Sequence, residues 1–142
     1  MSWLLDVNMI LASRWTTHAY HETAKPWVDE VSEFHTCAIT ELGFLRISLG
    51  PAYQVTWDEV QEVLGKLHAR PGHHFLIDDV DATVLPETGS KDTTDAHLVT
   101  LAKRHGMKLA TLDMTLIAEP WAVGIAENPL AAHVSSARKA RS

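Results

Sequence analysis

Residues 90–117, SKDTTDAHLVTLAKRHGMKLATLDMTLI, constrain the fold more than any other stretch of the chain. Asp92 or Thr93 opens a helix that carries Ala96, Leu98, Leu101 and Ala102 at helical spacing, and Gly106 closes it. KLATL (108–112) then reads as a strand, and Asp113 begins a further helical turn. A chain that passes directly from helix to short strand to helix builds the crossover units of an α/β protein with a parallel sheet.

The same alternation runs through the rest of the sequence. SWLL (2–5) is apolar without interruption, as in a strand buried on both faces, and a helix follows through Ile10 and Leu11. From Thr17 to about Ser32 a helical pattern contains Pro26, which is expected to kink or restart it. HTCAI (35–39) reads as the second strand. TELGFLRISLG (40–50) reads as a helix capped by Thr40, with Leu42, Leu45 and Leu49 at helical spacing, closed by Gly50 and Pro51. In TWDEVQEVLGKLHAR (56–70), Val60, Val63, Leu64 and Leu67 form one stripe, ended by Pro71 and Gly72. HHFLI (73–77) is a third strand, DDVDATVL (78–85) has no clear assignment, and WAVGIA (121–126) is the last strand. The expected fold is a three-layer α/β sandwich, with a mostly parallel central sheet of about five strands flanked by helices. A single domain over 1–142 is expected, with a small basic tail at about 134–142.

Composition narrows the setting. The 142 residues are 46% hydrophobic, enough for a real core, and the single cysteine, Cys37, excludes an intrachain disulfide and a four-cysteine metal cluster. A reducing, cytoplasmic setting is expected. The N-terminus lacks the basic and apolar regions of a signal peptide, and no apolar run reaches the length of a membrane span. The formal charge of −6 disfavours a sequence-blind grip on nucleic acid backbone. Acids gathered round a divalent cation reverse that rule, because the resulting cleft attracts phosphate.

Four acids stand where such gathering is possible. Asp6 follows the first strand and Asp113 the KLATL strand, and Glu41 and Asp95 fall in the first turns of their helices. Each has an ordinary explanation as a helix cap or as a first-turn charge favoured by the macrodipole, worth roughly 0.3 to 1 kcal/mol. In a parallel sheet, however, every strand ends on one edge, and ligands bind in the crevice there. Four carboxylates converging on that edge cannot all ionise without a counter-charge. A hard divalent cation, Mg²⁺ or Mn²⁺, supplies one, and such a site activates water for attack on a phosphodiester. Asn8 can hydrogen-bond a carboxylate or act as a first-turn residue, and Thr111 can orient Asp113 or serve as a strand former.

LLDVN at the start, TELGFLR in the middle and TTDAHLVTLAKRHGMKLATLD near the end, in this order and spacing, resemble the PIN-domain ribonucleases, and among them the VapC-like toxins of bacterial toxin–antitoxin pairs. The resemblance covers nearly the whole chain. It implies a parallel sheet between helices and a metal-ligand and catalytic set of Asp6, Glu41, Asp95 and Asp113, with Asn8 and Thr111 as accessory polar positions. It further implies Mg²⁺- or Mn²⁺-dependent endonucleolytic cleavage of RNA, a homodimer, and an antitoxin protein that blocks the site. Arg46 matches a frequent basic position of the family and is read here as a solvated helix residue. Met114 departs from the pattern, which often places a basic or small residue after the last aspartate, and this puts substrate contacts beside Asp113 in question.

Other readings compete. A non-toxin PIN-domain nuclease fits the same residues, and a catalytically silent protein would use the acids only as caps. A receiver-like phospho-acceptor module needs a second acid near Asp6 and a lysine at a late strand end, whereas Asn8 and a strand-initial Lys108 stand here. A haloacid-dehalogenase-like phosphatase lacks its second aspartate for the same reason. The pairs His18/His21 and His73/His74 have no HExxH frame or cysteine partner and are read as surface or strand-start histidines. Asp78, Asp79 and Asp81 read as a solvated turn. The five tryptophans read as core or dimer packing, and Cys37 as a buried small hydrophobe.

Overall fold

The computed structural model describes residues 2–131, so the basic tail at about 134–142 lies outside it. Five strands form one sheet: β1 (Trp3–Leu5), β2 (Phe34–Cys37), β3 (His73–Leu76), β4 (Lys108–Ala110) and β5 (Ala126–Glu127). Their order is β3-β2-β1-β4-β5 and every pairing is parallel. The chain thus builds outward from β1 to one side, then returns to build outward on the other. The β1/β4 junction is the topological switch point, where an open parallel sheet leaves a crevice at its carboxyl edge.

The helices are α1 (Val7–Arg14), α2 (His21–Glu30), α3 (Ala38–Leu49), α4 (Trp57–His68), α5 (Thr93–Arg104) and the single turn α6 (Met114–Ile117). Side chains of β1 alternate between two cores, as strand geometry requires. Trp3 and Leu5 pack with Met9, Ile10, Val28, Phe44 and Leu64 from α1 to α4. Leu4 packs on the opposite face with Leu98, Leu101, Leu109 and Leu116. Helices on both faces of the sheet give the three layers expected. Trp3 meets Trp27 edge to face and Trp15 stacks on Phe44, so three of the five tryptophans are structural, while Trp57 is exposed. No helix among the described residues is long and apolar enough to cross a membrane.

Two boundaries, one buried face and one expected kink differ from the sequence reading, each for a physical reason. Cys37, not Thr40, caps α3: the Thr40 hydroxyl accepts from the Cys37 backbone N–H at 3.0 Å, so Ala38 and Ile39 belong to the helix. The Leu42/Leu45/Leu49 stripe of α3 is not its buried face. That face is Thr40, Gly43, Phe44 and Ser48, whereas Leu42 is 64% exposed. The apolar residues of α3 do not fall on one side, which leaves its orientation to packing, and Gly43 stands at the contact: a Cβ there would lie 2.6 Å from a Val7 methyl, so a larger residue would make Val7 or the helix shift. Pro26 sits inside an unbroken α2, where the carbonyl left without a donor belongs to exposed Glu22. Of WAVGIA only Ala126 is strand, because the chain turns through Gly124 at φ +81° before reaching the sheet.

Gly72 fixes β3 beside β2. It holds φ +88°, its carbonyl accepts from Phe34 N–H at 3.0 Å, and a Cβ would lie 2.2 Å from the Ser32 carbonyl oxygen. Gly72→Ala is expected to destabilise the protein by about 2 kcal/mol or more, read as a lower urea midpoint. An unchanged midpoint would mean that this turn is not held as described.

Candidate active site

The switch-point crevice is lined by polar groups from four elements. Asp6 follows β1 directly and its backbone stays in the sheet, donating to the Ala110 carbonyl at 2.9 Å. Its side chain turns to cap α1: one carboxylate oxygen accepts from Val7 N–H at 2.8 Å, the other from the Thr111 hydroxyl at 2.8 Å. Asp6 is only 6% exposed. Burial is the largest influence on it and pushes its carboxyl above the usual carboxylate range; Thr111 and Val7 pull the other way, and Asp113 pushes it up again.

Thr111, fully buried just past β4, organises this end of the sheet. Its hydroxyl donates to Asp6, accepts from the Asn8 side-chain amide at 3.2 Å, and accepts from Asp113 N–H at 3.1 Å. Asn8 closes the ring by accepting from Leu112 N–H at 3.0 Å. Asn8 thus ties α1 to the segment after β4, and Thr111 touches Asp113 through its backbone. Asp113 caps α6 with a single carboxylate oxygen, which accepts from Thr115 and Leu116 N–H at 3.0 and 3.1 Å. Its other oxygen carries no hydrogen bond among the described residues.

Asp95 comes from the first turn of α5, and no hydrogen bond to its carboxylate is found among the described residues. Burial first, then the charges of Asp6, Asp113 and Asp92, raise its carboxyl to about 6. Asp6, Asp95 and Asp113 line one cleft of about 260 Å³ together with Asn8, Thr94 and Arg46. Arg46, read from the sequence as a solvated helix residue, is exposed and yet lines this cleft. Its helical spacing gave no sign of that, because the face α3 turns to the cleft is set by its packing on α1. Exposed Met114 stands next to Asp113.

The structure does not bring Glu41 into the same group. Its carboxylate accepts from the Thr36 hydroxyl at 2.6 Å and lies 2.7 Å from His68 Nε2, so it is engaged by β2 and α4. Beside it, burial and the neighbouring His68 push the His73 imidazole down to about 4. The acid run at 78–81 matches the solvated-turn reading: Asp78 pairs with His97 at 2.5 Å, Asp79 with His105 at 3.0 Å, and Asp81 caps the short turn Ala82–Val84.

Three carboxylates lining one cleft, one buried and one without a hydrogen-bond donor among the described residues, form a set of hard oxygen ligands that fits a divalent cation such as Mg²⁺ or Mn²⁺. When bound, such an ion activates water and neutralises charge on a phosphodiester. The residues themselves do the positioning. Thr111 and Val7 fix the Asp6 carboxylate, the α6 amides fix one oxygen of Asp113, and α5 delivers Asp95 from across the cleft.

Two stability predictions follow from this geometry. Thr111→Val strands an Asp6 oxygen and the Asp113 N–H and is expected to cost about 1–3 kcal/mol in urea unfolding, with Thr111→Ser costing far less; a Thr111→Val variant as stable as the parent, or less damaged than Thr111→Ser, would show that the hydroxyl does not hold this end of the sheet. The Asp95 carboxyl, near 6 in the fold against 3.8 as its ordinary value, binds a proton more tightly when folded. Stability from this group is therefore full below about pH 4 and is lost as pH rises through 6. Asp95→Asn without added cation should match the parent near pH 4. At pH 7 it should melt about 4 °C higher, corresponding to roughly 1 kcal/mol after screening at a half-buried site. A variant that melts lower at pH 7 would contradict the repulsion described.

A match to the PIN domain spans residues 3–118. Ribonuclease VapC38 of Mycobacterium tuberculosis (strain ATCC 25618 / H37Rv) is 39% identical over 118 residues, covering 78% of this chain and 84% of that protein. Ribonuclease VapC39 of the same strain is 34% identical over 139 residues, covering 89% of this chain and 99% of that protein. Among solved structures, VapBC2 from Rickettsia felis bound to a DNA fragment from its promoter superposes with a TM-score of 0.59 at 15% identity, over 89% of this chain and 98% of that one, a likeness of fold.

Proposed function

From the premise that the chain belongs to the PIN-domain family, among its VapC-like ribonucleases, we propose that it is a Mg²⁺- or Mn²⁺-dependent RNA endonuclease and the toxin of a toxin–antitoxin pair. The observation that carries this reading is the convergence of Asp6, Asp95 and Asp113 on the β1/β4 crevice, with Asp6 buried and held by Thr111. In this reading the three aspartates hold the cation, and Glu41 joins them from α3 by a change of side-chain rotamer. Asn8 and Thr111 fix the set, and Arg46, at the cleft's rim, meets a phosphate of the substrate. Single-stranded or loop RNA suits the cleft, since its bases can be splayed out. A homodimer, a blocking antitoxin and a cytoplasmic setting complete the proposal. The receiver-like alternative loses support, because Asn8 is engaged with Thr111 and Leu112, and Lys108 is paired with Glu127 at 2.6 Å.

Purified protein is expected to cut single-stranded RNA only with Mg²⁺ or Mn²⁺ and to stop on chelation. Asp6→Asn, which keeps an acceptor for the α1 cap, should cut at least about 100-fold more slowly, beyond the usual cost of losing an outer partner of a metal site. Cation affinity should weaken about tenfold per pH unit below 6, where a proton competes at Asp95. Expression without a partner should arrest growth, and expression of the Asp6→Asn form should not. An Asp6→Asn preparation as fast as the parent would sink the assignment.

A further inference from the structure

We propose that Glu41, His68 and His73 form a second cation site, separate from the aspartate cleft and suited to a borderline transition metal of the Zn²⁺ class. One ligand atom from each residue lies within 4.8 Å of both others. Glu41 Oε2 and His68 Nε2 are 2.7 Å apart, and the His68 and His73 rings face one another with centroids at 4.5 Å and planes 35° apart. Atoms bound at 2.0–2.1 Å around one tetrahedral ion stand about 3.3 Å from each other, so small rotamer adjustments bring the three into register. Two imidazoles and one carboxylate, with a fourth position left to solvent, favour Zn²⁺, Ni²⁺ or Cu²⁺ over the hard ions that an all-oxygen set selects.

The surroundings are those of a built site. The buried Thr36 hydroxyl lies 2.6 Å from Glu41 Oε2 and 2.7 Å from His73 Nε2, so one side chain brings these two ligand atoms to the same point. The ligands come from three separate elements: the first turn of α3, the last residue of α4 and the first residue of β3. The connection between His68 and His73 is itself pinned, by Ala69 N–H to Gly65, His73 N–H to Arg70 and Phe34 N–H to the Gly72 carbonyl. A bound ion would staple α3 to the α4–β3 turn. Without one, the His68–Glu41 contact is a surface pair of little worth. The inference does not rest on the nuclease reading; because both use Glu41, that carboxylate serves one ion at a time, in the rotamer turned to the histidines here.

The test is a Zn²⁺ titration followed by melting temperature, together with Co²⁺ loading followed by visible absorption. It uses four proteins: the parent, Asp95→Asn, His68→Ala and His73→Gln. His68 is exposed, so its truncation leaves the fold intact, which circular dichroism checks. The expected result is a Zn²⁺-dependent rise in melting temperature in both the parent and Asp95→Asn. Both histidine variants should lose at least about tenfold in Zn²⁺ affinity. The parent should also give the intense bands of four-coordinate Co²⁺, bleached by Zn²⁺. Equal Zn²⁺ affinity in His68→Ala and the parent would overturn the proposal. So would a Zn²⁺ effect lost in Asp95→Asn and kept in His68→Ala, which puts the ion in the aspartate cleft. Loss of RNA cleavage in Asp95→Asn with Zn²⁺ binding intact would support a second ion held away from the aspartate cleft.

Discussion

The short bond from the Thr111 hydroxyl to the Asp6 carboxylate holds the two halves of the sheet in working alignment. β1 and β4 are neighbours in space but far apart in sequence, and the backbone ladder alone joins them only as far as Ala110. Beyond that point Thr111, Asp6, Asn8 and the amides of Leu112 and Asp113 continue the connection through side chains. A polar group at a buried switch point is costly unless satisfied. Here every donor and acceptor in the ring has a partner, and no buried side-chain polar atom is left without one among the described residues. The ring lets a carboxylate sit at the floor of a crevice without unravelling the strands that make it.

The acids above that floor pull the other way. Asp95 carries negative charge toward Asp6 and Asp113 with no donor to offset it among the described residues, so the fold holds a concentration of like charge that a chain selected for stability alone would not keep. Electrostatic strain of this kind, confined to a concave edge of the sheet, is a mark of functional sites rather than of structural ones. Arg46, exposed and lining the same cleft, sets a charge of the opposite sign beside these acids.

Much of this was legible in the sequence, for reasons that separate local from long-range information. The alternation of helix and strand placed all five strands, and with them Asp6, Asp95 and Asp113 at one edge, because chain direction in a parallel sheet decides that without any side-chain detail. Boundaries failed where two local signals competed. Thr40 is a good cap, but as the third residue of α3 it completes a capping box with Cys37. WAVGIA is apolar enough for a strand, but Gly124 bends it. The face of α3 failed because it depends on packing against another helix, where Gly43 meets Val7, and not on the spacing of its leucines. For the same reason the partners of Glu41 were invisible: His68 and Thr36 approach it only after α4 and β2 are packed, and no spacing in the sequence announces that meeting.

The double duty of Asp6 gives the site an uneven evolutionary grain. Asp95 can be neutralised with relief to the fold, whereas Asp6 caps a helix and anchors the ring through Thr111, so its removal injures the whole domain. In a descendant released from selection for catalysis, drift would erase Asp95 early and retain Asp6, or a serine or asparagine in its place, long after the chemistry had gone. An aspartate conserved at the end of β1 is therefore a poor witness to activity in this lineage. The residue to read is the one on α5.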